Sequence, residues 1–97
     1  MLFRSGEVIH IDHFGNLITN ISAQKLTDFH RTNPQGKLKI MVKGREAPFR
    51  NYYAEAQDKG LYALINSLGY LEFFVKNGSA SSSFDVKVGE KIAVIPA

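Results

Sequence analysis

The sequence predicts a small all-β fold, a barrel of about six or seven short strands with one short helix. Three observations lead there. Apolar residues recur with a period of two along most of the chain, the repeat of a half-buried strand. Clusters of Gly, Asn, Asp and Ser punctuate these runs at short intervals. Finally, 61–66 and 70–76 are apolar on both faces. Strands of that kind are poorly suited to a solvated face or an open edge, which favours closure into a barrel. With 97 residues, the chain has room for one core, so 1–97 is read as a single domain.

The elements follow in order. "EVIHI" (7–11) sets Val8 and His10 against Ile9 and Ile11, and "NLITNI" (16–21) is the second strand. "SAQKLTDF" (22–29) is the one helical signal, with Ser22 as N-cap, and the turn formers of "HRTNPQG" (30–36) close it. "KLKIMVK" (37–43) points Leu38, Ile40 and Val42 inward and Lys37, Lys39 and Lys43 outward, with "GRE" as its turn. "APFRNYYAEA" (47–56) is extended at its centre, and Pro48 suits an edge or a strand start. After "QDKG" come "LYALIN" (61–66), the break "SLG", and "YLEFFVK" (70–76). "NGSASSSF" (77–84) reads as low-complexity, and "DVKV" (85–88) and "KIAVIPA" (91–97) as strands joined by "GE".

Composition narrows the function classes. The apolar share of 44% is that of a globular protein. Without cysteine there is no disulfide framework and no thiolate metal site. "MLFRSG" lacks the apolar run of a signal peptide, and no run approaches a membrane span, so a cytoplasmic protein with no membrane partner is expected. The net charge of +3 comes from scattered lysines and fits a solvated strand face better than a nucleic-acid patch.

His10 and Asp12 share a strand face, but a metal needs three or more converging ligands, so no metal site is expected. No serine sits in a Gly-x-Ser-x-Gly elbow, and no Gly-rich phosphate cradle is present. What remains is a pair of polar breaks in apolar strands, Asp12-His13-Phe14-Gly15-Asn16 and Asn66-Ser67-Leu68-Gly69-Tyr70. Each residue type is a turn former for backbone reasons. Together the two loops also offer an aromatic platform, an amide able to read a purine edge and an acid able to hold an ammonium group, as a small-ligand cleft requires.

At these loops the sequence resembles the C-terminal domain of the S-adenosylmethionine hydroxide adenosyltransferases, relatives of the bacterial fluorinase and chlorinase. The matching residues are Asp12, Phe14-Gly15-Asn16, Thr19-Asn20, Asn66-Ser67, Gly69-Tyr70-Leu71 and Asn77-Gly78. The resemblance implies a closed Greek-key barrel that is the C-terminal half of a two-domain enzyme. S-adenosylmethionine would lie between this domain and the N-terminal domain of a neighbouring subunit in a homotrimer. Water or hydroxide would attack ribose C5′, leaving adenosine and methionine. S-adenosylmethionine enters as substrate, and no cofactor is implied.

By the same resemblance, Asp12 would pair with the methionine ammonium group and Ser67 would hydrogen-bond the amino-acid end. Phe14 would pack on the adenine or ribose, Asn16 would read the adenine edge, and backbone groups from Val75 to Asn77 would complete its recognition. Tyr52 or Tyr53 would stack on the base. The chain departs from the halogenating relatives at Leu68, where they carry arginine, which favours hydroxide over halide. No catalytic residue is expected in this chain, because the N-terminal domain supplies the groups that position the nucleophile. Two alternatives compete. One is a basic barrel presenting Phe14, Tyr52, Tyr53 and Tyr70 to single-stranded nucleic acid, which leaves Asp12 unexplained. The other is an oligomerisation domain with strand 70–76 as its interface.

Overall fold

The computed structural model describes residues 4–32 and 37–96. Seven strands form one sheet: β1 (Arg4–Ile11), β2 (Leu17–Ser22), β3 (Leu38–Val42), β4 (Arg45–Glu46), β5 (Leu61–Ile65), β6 (Tyr70–Val75) and β7 (Lys91–Pro96). Helix α1 (Ala23–Thr32) follows β2, and a short helix α2 (Ala80–Phe84) follows β6. The order β4-β3-β7-β1-β2-β6-β5 is antiparallel throughout. β1 serves both halves of the sheet, pairing β7 through Arg4 to Glu7 and β2 from Val8 onward.

Residues 47–50 bring the two ends of the sheet together. The Ala47 N–H donates to the Ile40 carbonyl at 2.8 Å, and the Arg50 N–H donates to the Ala63 carbonyl at 2.8 Å. Ala63 N–H returns a bond to the Pro48 carbonyl at 3.0 Å, making a parallel bridge at Phe49. The result is the nearly closed small barrel expected from the sequence. Its interior holds Val8, Leu17, Ile21, Val42, Leu71, Phe73, Ile92 and Val94, with Phe29 of α1 packed against them. Burying a Phe, Leu or Ile side chain of this kind contributes about 1.5–3 kcal/mol.

The double apolarity of 61–66 and 70–76 has its own cause. Leu61, Ala63, Leu71, Phe73 and Val75 face the interior. Tyr62, Leu64 and Phe74 face outward and bury themselves with Ala56 under a strap of chain, 50–58. Barrel closure therefore accounts for one face of these strands and the strap for the other.

The Thr-Asn pair of β2 repairs the sheet where it bends. The ladder loses register on both sides of β2, between Val8 and His10 on β1 and between Ile18 and Ser22 against β6. Thr19, fully buried, donates its hydroxyl to the Leu71 carbonyl at 2.8 Å and accepts from the Ile21 N–H at 3.1 Å. Asn20 Oδ1 accepts the Glu7 N–H at 2.9 Å on the other side. Gly6 is required opposite, since any Cβ there would overlap Ile21 and Asn20.

Several expectations need correction. The helix runs to Thr32 instead of ending at 29, because the first true breaker in the sequence is Asn33-Pro34. The segment 85–88 is not a strand. Asp85 takes a left-handed conformation (φ 54°) that caps α2, buried Val86 donates its N–H to Ser81, and the chain then turns at Gly89. The turn after β3 lies at Lys43-Gly44, both with positive φ, so Arg45 and Glu46 are free to pair as β4. Ser22 caps α1 as expected, accepting the Lys25 N–H at 3.1 Å. Among the described residues no helix is long and apolar enough to cross a membrane.

Thr19→Val keeps the shape and removes the hydroxyl, stripping the buried Leu71 carbonyl and Ile21 N–H of a partner. Denaturant unfolding should show a loss of about 1–3 kcal/mol. An unchanged midpoint would mean that Thr19 has no part in holding the bend.

Candidate functional site

The two polar breaks are the same turn built twice. In the first, Asp12 N–H donates to the Asn16 carbonyl and Gly15 N–H to the Asp12 carbonyl, at 3.0 and 2.9 Å. In the second, Asn66 N–H donates to the Tyr70 carbonyl and Gly69 N–H to the Asn66 carbonyl, both at 2.9 Å. The side chain that opens each turn caps it. Asp12 Oδ1 accepts the N–H groups of Phe14 and Asn16, each at 2.9 Å. Asn66 Oδ1 accepts those of Leu68 and Tyr70 at 3.0 and 3.1 Å. Gly15 and Gly69 close the turns at φ 85° and 86°, a conformation that favours glycine. Much of the polar content of both loops is thus turn chemistry.

The loops differ in what their capping side chains have left over. Asn66 Nδ2 donates to Glu72 Oε1 at 3.1 Å. Asp12 Oδ2 takes no hydrogen bond among the described residues. Glu72 lies on the outer face of β6 and is 4% exposed. Its Oε2 accepts Asn16 Nδ2 at 3.1 Å and the Tyr53 hydroxyl at 2.7 Å. One buried carboxylate therefore ties together the first loop, the second loop and the strap.

The strap is fixed at other points as well. Glu55 Oε1 accepts the N–H groups of Asn51 and Tyr52 around the 3₁₀ turn Tyr53–Glu55. The Tyr53 ring meets Phe74 edge-on, with centroids 4.9 Å apart. Arg50 lies 4.8 Å over the Tyr62 ring, whose hydroxyl donates to Asp58. The centre of 47–56 is therefore a pinned turn more than the extended run expected from the sequence.

Two cavities open on this face, and Tyr53 lines both. The first, about 450 Å³, is walled by Phe14, Asn16, Phe74, Val75 and Asn77. The second, about 490 Å³, takes in His10, Tyr52, Asn66, Ser67 and Glu72. Phe14 and Leu68, 72% and 81% exposed, stand at the rim. Phe14, Asn16, Val75 and Asn77 thus share one cavity and Ser67 and Tyr52 the other. Asp12 lines neither, but its charge is near enough to the Tyr53 hydroxyl to influence it. The Val75 carbonyl accepts the Gly78 N–H, and the Asn77 carbonyl accepts Lys59 Nζ at 3.0 Å. Sequence reasoning missed Glu72 and His10. Glu72 had a signal: it is the one charged residue in the apolar run 70–75. Among the described residues no group of three or more His, Asp or Glu could hold a metal ion.

The Tyr53 hydroxyl is pushed above its ordinary value of 10.0, first by the partial burial of a half-exposed side chain, then by its hydrogen bond to Glu72 and the charges of Glu72 and Asp12. The fold therefore favours neutral Tyr53. That contribution is fully present below pH 10 and is lost as pH climbs from there toward the raised folded value. The stability difference between the native chain and Tyr53→Phe should be constant near neutrality and shrink steadily above pH 10. A difference independent of pH in denaturant titrations would contradict this placement of the hydroxyl.

Comparison with known proteins adds to this geometry. The chain is 30% identical over 90 residues to (R)-S-adenosyl-L-methionine hydrolase of Thermus thermophilus, a match spanning 93% of this chain and 31% of the relative. A conserved protein of Thermotoga maritima, known from its crystal structure, superposes with a TM-score of 0.74 at 28% identity, over 97% of this chain and 36% of its own. A second, from Thermus thermophilus, gives 0.72 at 27% identity, over 94% and 34%. The chain thus spans about a third of the length of these relatives. Residues 6–93 match the SAM hydroxide adenosyltransferase C-terminal domain, and the chain belongs to that family.

Proposed function

We propose that this chain forms the nucleoside- and methionine-binding wall of an enzyme that hydrolyses S-adenosylmethionine. The observation that carries the reading is the pair of cavities meeting at Tyr53, one aromatic with an amide, the other edged by hydroxyl and carboxylate groups. Adenine, a flat ring with a polar edge, suits the first, between Phe14 and Tyr53 with Asn16 at its rim. The second, with Ser67 on its lining, suits the amino-acid end. Asp12 lies outside both linings, but only one of its oxygens caps its turn, which leaves the other for the ammonium group of a bound ligand. The name of the Thermus thermophilus relative supports the same substrate.

In the proposed reaction the oxygen of water, or hydroxide, bonds to ribose C5′ as the C5′–S bond breaks. The electron pair leaves with sulfur, which turns the sulfonium into the neutral thioether of methionine, and the proton of water passes to a base. This domain orients the substrate, and the N-terminal domain of a neighbouring subunit in a homotrimer positions the nucleophile. Leu68, in place of the arginine of halogenating relatives, favours hydroxide. A domain that holds only one wall binds weakly and leaves the reacting carbon in water.

The twin turn supplies a clean test of Asp12. Asn66 caps the equivalent turn with an amide oxygen, so Asp12→Asn keeps the cap and removes only the charge. The melting temperature should stay within a degree or two. Titrations followed by nuclear magnetic resonance should show S-adenosylmethionine binding weakened about tenfold and adenosine binding unchanged, as loss of a partly hydrated charge-assisted bond implies. The chain alone should release no adenosine from S-adenosylmethionine on chromatography. Equal loss of both ligands, or tighter binding of an oligonucleotide with steep salt dependence, would overturn the reading.

A further inference from the structure

We infer that Glu72 is a positioning residue that fixes the hydrogen-bonding polarity of Asn16, so that the aromatic cavity selects a purine bearing a 6-amino group over one bearing a 6-oxo group. The inference rests on the nucleoside reading of the site and adds to it a residue and a direction of specificity.

An asparagine amide can present either a donor or an acceptor, and a half turn about its last bond exchanges them. Asn16 does not have that freedom. Its backbone N–H is held by Asp12 Oδ1 and its carbonyl by the Asp12 N–H, which fixes where the side chain begins. At the far end, Nδ2 donates to Glu72 Oε2 at 3.1 Å. A carboxylate oxygen accepts, so only the nitrogen end can face it. Nδ2 keeps its second hydrogen, but with the nitrogen end held on Glu72 the oxygen end is turned away from it, and Oδ1, which takes no hydrogen bond among the described residues, is the acceptor that Asn16 offers the cavity it lines.

Glu72 is itself unable to swing away. Asn66 Nδ2 holds Oε1 at 3.1 Å and the Tyr53 hydroxyl shares Oε2 at 2.7 Å. At 4% exposure, rotation would leave a buried carboxylate short of donors. The polarity of Asn16 is therefore established before any ligand arrives. A 6-amino purine brings a donor to Oδ1; a 6-oxo purine brings an acceptor, and two acceptors repel.

The test compares adenosine with inosine on this chain, with titrations followed by nuclear magnetic resonance, which reads weak binding. The native chain should prefer adenosine by at least about tenfold. Glu72→Gln keeps the volume and lets the residue at 72 donate or accept, releasing Asn16. The preference should fall to about twofold or less, and the Asn16 side-chain amide protons should exchange faster with water. A merely structural role would lower the melting temperature or weaken both nucleosides together, leaving their ratio intact, and that result overturns the inference while the nucleoside reading stands. If Glu72→Gln does not fold, the native chain still decides, because equal affinity for adenosine and inosine overturns the inference. Binding of neither nucleoside would overturn both.

Discussion

A carboxylate buried on the outer face of β6 governs how this domain is put together. Leaving Glu72 without partners would cost several kcal/mol, a large part of the stability of a small domain. Its three donors come from Asn16, Tyr53 and Asn66, which lie in three separate segments of chain. Two turns and a strap must all be in place for the carboxylate to be satisfied, so its burial couples them. The same bonds orient the side chains that wall the two cavities. The site is thus organised by an interaction that also contributes to folding, and its shape does not wait for a ligand.

Much of the barrel was legible because period-two alternation is a local signal. β1, β2, β3, β5, β6 and β7 lie where "EVIHI", "NLITNI", "KLKIMVK", "LYALIN", "YLEFFVK" and "KIAVIPA" put them, within a few residues. The misreadings have local causes too. "NGSASSSF" hides α2 because Ser79 caps it, accepting the Ser82 N–H, and Ala80 is the small residue that buries against the core. "DVKV" alternates like a strand, but only Val86 goes inward, while Val88 is 59% exposed at a turn.

The site was half legible. The two loops stood out as polar breaks, and Phe14, Asn16, Asn66 and Ser67 line adjoining cavities, whereas Asp12 lines neither. What the sequence could not show is that both loops are one capped turn repeated, with the free valence of Asn66 pointing at Glu72 and that of Asp12 left open. Asn16 and Glu72 are 56 residues apart, and no local pattern links them. Nor did the apolar outer faces of β5 and β6 announce the strap, since a buried sheet face looks the same whether a barrel, a strap or a partner covers it.

In the proposed site the cavity between Phe14 and Tyr53 takes a purine, with Asn16 Oδ1 as acceptor. A crystal structure of the chain soaked with adenosine tests it directly. The base should lie in that cavity with its exocyclic amine within hydrogen-bond distance of Asn16 Oδ1, and with Asn16 Nδ2 still on Glu72. Adenosine in the cavity beside Ser67, or bound with the Asn16 amide turned over and Glu72 displaced, would contradict it.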